Sequence, residues 1–164
     1  MKKFTLFLVL VGMITLQGCT TSDDRTVIDN DTISEVFQVT TNFTPQNGYS
    51  TFIPLNPPIF NSDVVLVYRL WGTDGGSPVW RLIPQTVYLP QGELDYNFDF
   101  TRFDVSLFLD SDFDLFFADS QWKLNQTFRI VLIPGYFGSA RVDYSDYNKV
   151  MEMLGKNEND VKFL

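Results

Sequence analysis

Val64-Val65-Leu66-Val67-Tyr68-Arg69-Leu70-Trp71 reads as a single strand with no solvent face. β-Branched and aromatic residues dominate it, and apolar side chains fall on both parities, the pattern of a central strand covered on its two sides. Downstream, Asp74-Gly75-Gly76 supplies residues that tolerate positive φ, so a hairpin turn is predicted, with Val79 to Leu89 returning as a second long strand. Pro84 marks a bulge or an edge within that return, and Pro90-Gln91-Gly92 marks a reversal. Glu93 to Phe100 then alternates cleanly. Leu94, Tyr96, Phe98 and Phe100 share one side and polar residues the other, as in a half-exposed antiparallel strand. Val105 to Leu109 and Thr127 to Ile133 follow as further strands, the second stopped by Pro134-Gly135.

Upstream of the opening stretch, Asn56-Pro57-Pro58 lacks ladder donors and belongs outside any central strand. Val36 to Phe43 alternates loosely and Gln46-Asn47-Gly48-Tyr49 offers a turn, which predicts a first hairpin over residues 36–53. Helical spacing appears once, where Tyr147, Val150, Met151 and Leu154 recur at i, i+3, i+4 and i+7, with Ser145 or Asp146 as cap and Gly155 as stop. The expectation is an all-β domain over residues 32–155, mainly antiparallel: a β-sandwich or open barrel of about six or seven strands with one short C-terminal helix. Residues 156–164 read as a loose tail.

The composition agrees. Within 164 residues, 45% are hydrophobic and 16% aromatic, enough to build one core. The net charge is -8, and removal of Lys2 and Lys3 with a leader peptide would take the remainder to about -10. Basic residues are scattered singly from Arg25 to Lys162, which argues against a phosphate-backbone partner and hence against nucleic acid. One Cys and no His rule out an intrachain disulfide, a Cys/His zinc site and any mechanism with His as general base.

The N-terminus has the parts of a secretory signal in order: Met1-Lys2-Lys3, an apolar run from Phe4 to Leu16, then Leu16-Gln17-Gly18-Cys19. The run is shorter than the roughly 20 residues of a membrane-spanning helix. Leu16-Gln17-Gly18-Cys19 resembles the bacterial lipobox. The resemblance implies a signal peptide over residues 1–18, cleavage before Cys19, a diacylglyceryl thioether and palmitate-type acylation there, and a flexible tether over 19–31. Two or three acyl chains suffice for stable membrane anchoring. Ser22-Asp23-Asp24 is similar to the acidic export signal of Bacteroidota surface lipoproteins, which implies the outer membrane and the cell surface; an ordinary acidic linker is the other reading.

Beyond the tether, Leu55-Asn56-Pro57-Pro58, Asp63 to Gly72, Trp80 to Thr86, Leu94 to Phe100 and Gln126 to Gly135 resemble the C-terminal domain of Bacteroidota collagen-like lipoproteins. That resemblance spans roughly residues 33–154 and brings no assigned chemistry. The Gly-X-Y stalk of that family does not occur here, so a projecting fibre and collagen-driven trimerisation are not implied.

Two constellations bear on chemistry. Asp110, Asp112 and Asp114 place three carboxylates at spacing two, a candidate Ca²⁺ loop, although the EF-hand positions for Gly and Glu hold Leu115 and Gln121; a solvated acidic turn is the alternative. Trp71, Trp80 and Trp122 are candidates for glycan stacking, with a place in the core as the alternative. Among carboxylate pairs for hydrolysis, Asp95 and Asp99 sit about 13 Å apart along one strand, beyond the roughly 5 to 9.5 Å that glycosidases use. The reading is a non-enzymatic, membrane-anchored envelope lipoprotein with a structural or protein-interaction β domain, and alternatively a carbohydrate-binding surface lipoprotein. Its expected partners are the membrane, through Cys19, and an envelope or extracellular protein or glycan.

Overall fold

The computed structural model describes residues 33–139 and 141–164; the signal peptide, Cys19 and the tether lie outside the described residues. Nine strands are described: β1 (Glu35–Thr41), β2 (Ser50–Pro54), β3 (Val64–Asp74), β4 (Ser77–Leu82), β5 (Gln85–Leu89), β6 (Gly92–Phe100), β7 (Asp104–Ser111), β8 (Gln126–Ile133) and β9 (Val161–Phe163). With them are a one-turn helix α1 (Ser120–Lys123) and the amphipathic α2 (Tyr147–Met153). The strands form two sheets, one in the order β4-β3-β8-β1-β9 (sheet A), the other β2-β7-β6-β5 (sheet B). Every pairing is antiparallel except β1 with β9. The fold is an all-β sandwich with two separate sheets, not a closed barrel.

The apolar parities of β3 explain its position. Val65 and Val67 face the core between the sheets, packed with Leu94, Leu107, Phe128 and Ile130. Leu66 and Tyr68 face the other way, into a second core with Val131, Val150 and Met151, where α2 covers the outside of sheet A. A strand buried on both faces needs two such layers. β8 has the same two-sided pattern and lies at the centre of its sheet. Asp146 caps α2, accepting from the Lys149 amide at 3.2 Å, and Gly155 follows the helix at φ 63°.

The β3–β4 hairpin forms as its turn residues predict, with Gly75 and Gly76 both at positive φ. Three other expectations are corrected. Residues 36–53 do not form a hairpin: β1 pairs with β8 in sheet A and β2 with β7 in sheet B. Pro45 begins a 3-10 turn over Pro45–Asn47 that closes on left-handed Gly48, and this turn carries the chain from one sheet to the other. Residues 79–89 are likewise two strands. β4 is an edge of sheet A and β5 an edge of sheet B, and Pro84, without a ladder donor, sits between them. Residues 156–164 are not loose. A 3-10 turn at Glu158–Asp160 leads into β9, which pairs with β1 and buries Val161.

Candidate functional site

Arg69 stands on the inner parity of β3, midway along the strand at the last position paired with β8, where the apolar core gives way to polar and aromatic groups. It is 4% exposed. Its Nε and Nη2 donate to Gln126 Oε1 at 3.0 and 2.5 Å. Gln126, also buried, spends its amide nitrogen on the carbonyls of Gln121 and Leu124, so α1 and the loop behind it are tied to the first residue of β8. The guanidinium lies 4.1 Å from the ring centre of Tyr96, with Trp71 at 5.4 Å and Trp122 at 5.8 Å. The Tyr96 hydroxyl donates to the Trp122 carbonyl at 2.6 Å, and burial pushes its pKa up to about 12.

Arg81 occupies the β4 position directly opposite Arg69. Its guanidinium covers Trp71 at 3.8 Å, and Trp71 in turn lies 6.0 Å from Trp122. Burial lowers the Arg69 pKa, and the charge of Arg81 pushes in the same direction against the pull of Tyr96. Among the described residues no carboxylate pairs with either arginine. Arg69 Nη1 has no hydrogen-bond partner, and neither does Gln85 Oε1, which projects from the β5 position opposite Tyr96.

On the outer face of sheet A a second arginine is buried to the same extent. Arg129, 4% exposed, donates Nη1 to the Tyr147 hydroxyl and to Glu158 Oε1, and Nη2 to Glu158 Oε2. Its guanidinium lies 4.2 Å above Trp80. Trp80 Nε1 is buried without a partner, and the Trp80 and Tyr147 side chains border a shallow cavity of about 480 Å³ with Asp143 and Asp146.

The three tryptophans therefore do not share one surface. Trp71 and Trp122 meet at the end of the sandwich, while Trp80 lies on the outer face of sheet A beside α2. One ring face of Trp71 and one of Trp80 already carry a guanidinium. The acidic triplet is not brought together either. Asp110 Oδ1 accepts from the Ser111 amide, Asp112 Oδ1 from the Glu93 amide at 2.8 Å, and Asp114 Oδ1 from the Phe116 amide, capping a 3-10 turn. Among the described residues no group of three acidic side chains is placed to share a metal ion. Asp95 faces Asp110 across β6 and β7 and accepts from Thr86 Oγ1 at 2.5 Å.

Sheet B presents its other face to solvent. Leu94, Tyr96, Val105, Leu107 and Leu109 point into the core, which turns Glu93, Asp95, Asp99, Asp104 and Asp110 outward. None of the four strands contains a Lys or Arg. Phe52 and Tyr88, on the two edge strands, are 65% and 78% exposed. The arginines were not singled out from the sequence, although a signal was present: Arg69 and Arg129 each interrupt an otherwise apolar buried strand, where a charge needs a specific partner. No protein-family model, curated protein or solved structure matches the chain.

Proposed function

We propose that the protein is a lipid-anchored lipoprotein of the cell envelope, held through Cys19 at the outer membrane and facing the cell surface, whose β domain is a non-catalytic structural or protein-interaction module. The open face of sheet B carries this reading. α2 covers the outer face of sheet A, whereas sheet B offers a four-stranded surface of acidic residues with exposed aromatic side chains on both edges. Exposed aromatic rings are anchors for protein contacts, and an acidic face without cations steers a basic partner. A chain with no His and a single Cys also favours binding over catalysis.

Photo-crosslinking residues placed at Phe52 and Tyr88 in cells are expected to trap a discrete partner, and one at Glu152, on the far side of the molecule, is not. Absence of a discrete product at both sheet B positions rejects the interaction module. The anchor is tested separately. Cys19→Ser is expected to move the protein from the membrane to the soluble fraction, and protease added to intact cells is expected to remove the wild type. Protection until lysis would place the domain in the periplasm.

The Trp71–Trp122 pair favours a second reading, carbohydrate binding at that end of the sandwich. It requires a saturable change in Trp fluorescence with at least one polysaccharide, lost in Trp122→Ala; a flat titration across a panel rejects it.

A further inference from the structure

We propose that Arg81, backed by Arg69, forms an oxyanion-binding site at the end of the sandwich, one that takes the carboxylate, sulfate or phosphate group of an extracellular or envelope ligand. The inference goes beyond the proposed function and does not depend on the anchor or on sheet B.

Like charges directly opposite each other on one face of an antiparallel pair are unfavourable, and Arg69 and Arg81 are such a pair. Acidic residues outnumber basic ones 20 to 12, so counter-ions are plentiful in this chain, yet among the described residues none is placed against either guanidinium. Arg129 gives the internal comparison. It is as deeply buried as Arg69 and holds a bidentate carboxylate from Glu158. The fold thus neutralises one buried arginine and leaves the other with a charge and an unpartnered Nη1. Gln85 Oε1, the orphan acceptor beside Tyr96, is neutral and does not balance that charge.

Arg81 is the accessible member. It is exposed, its guanidinium carbon lies 3.8 Å over the Trp71 ring centre, and it donates no side-chain hydrogen bond to any described residue. A guanidinium held over a ring face by its carbon spends no N–H on that contact, so its N–H groups are left to receive two oxygens of an oxyanion. Arg69 lies behind in a low-dielectric setting, where its field is weakly screened and adds to the attraction. Trp71 lies against both guanidinium groups, so its emission reports occupancy.

The test is a titration of the full-length protein in detergent with sodium sulfate, phosphate and glucuronate at constant ionic strength, with chloride and glucose as controls, read by Trp fluorescence and by melting temperature. At least one oxyanion is expected to give a saturable change and a rise in melting temperature. Arg81→Gln, at an exposed position, is expected to weaken binding at least tenfold, and Arg141→Gln, an exposed arginine elsewhere, to leave it unchanged. Response to glucuronate alone identifies an acidic saccharide; response to sulfate or phosphate identifies an ester group. The proposal is overturned by the absence of a saturable response to every oxyanion, by an equal response to glucose, or by undiminished binding in Arg81→Gln.

Discussion

Arg129, in the middle of β8, donates to both carboxylate oxygens of Glu158, Nη1 to Oε1 at 2.7 Å and Nη2 to Oε2 at 2.5 Å. That fork fixes the 3-10 turn at Glu158–Asp160 against the sheet and delivers the following residues to the edge of β1. The C-terminal segment is thereby part of the fold.

Glu158→Gln is expected to destabilise the protein by about 1 to 2 kcal/mol at neutral pH, because a buried guanidinium loses a charged acceptor while the 64% solvent exposure of Glu158 discounts the Coulombic part. The Arg129 hydrogen bonds hold the Glu158 carboxyl below its ordinary 4.5. A carboxyl with a lowered folded-state pKa adds stability that is present above the unfolded value and is lost as pH falls through the folded one. Urea unfolding of both proteins at pH 7 and at about pH 3 checks this: the gap between them should narrow in acid. A constant gap would show that the ion pair is not its source.

Tyr96→Phe should cost about 1 kcal/mol, since the hydroxyl that satisfies the Trp122 carbonyl disappears while the ring under Arg69 remains. The same change should alter Trp emission, because Trp122 sits on the tethered helix. An unchanged spectrum together with unchanged stability would mean that the bond contributes nothing to the docking of α1.

Gly92 and Asp112 are expected to behave as one unit. A Cβ on Gly92 would lie 2.0 Å from Asp112 Oδ1, at a φ of 144° that L residues avoid. Gly92→Ala must therefore displace the carboxylate that accepts the Glu93 amide, and a loss of about 2 to 3 kcal/mol is expected. Asp112→Ala alone should cost about 1 kcal/mol. The double variant should be less destabilised than the sum of the two, by more than about 0.5 kcal/mol. Strict additivity in a double-mutant cycle would separate backbone strain from the clash.

Local patterns carried the strands and the β3–β4 hairpin. β3 and β8 are apolar on both parities because sheet A is covered on both sides, and β6 alternates where sheet B is covered on one. The crossings between sheets were not legible. β1 and β2 look like hairpin arms because alternation reports a face but not a partner, and only the 3-10 turn at Pro45 sends them apart. β9 is three residues long and pairs with a strand far away in the chain, so no local signal marks it. The tryptophans show the same limit: Trp71 and Trp80 flank one hairpin, but Trp80 pairs with Leu70, the neighbour of Trp71, so strand alternation sends the two rings to opposite sides of sheet A.

The two buried arginines should respond unequally to replacement by Met, which keeps much of the length and none of the charge. At position 129 the change removes hydrogen bonds to Gln38, Tyr147 and Glu158 together and unpins the C-terminal segment, so a loss of more than about 2 kcal/mol is expected. At position 69 the charge that disappears has no carboxylate partner and is held against desolvation by Gln126 and by ring faces. Removing a buried charge that has no counter-ion recovers its desolvation cost and offsets part of the loss of the two hydrogen bonds to Gln126 Oε1, so Arg69→Met should cost about 1 kcal/mol, less than the change at 129. Thermal and urea unfolding of the two variants decides it. If Arg69→Met is the more damaging, the cation–π contacts are the main support of that end of the sandwich and the guanidinium is structural. If it is the milder, stability alone does not account for its presence, and the free N–H groups of Arg81 beside it are where the rest of the explanation is to be sought.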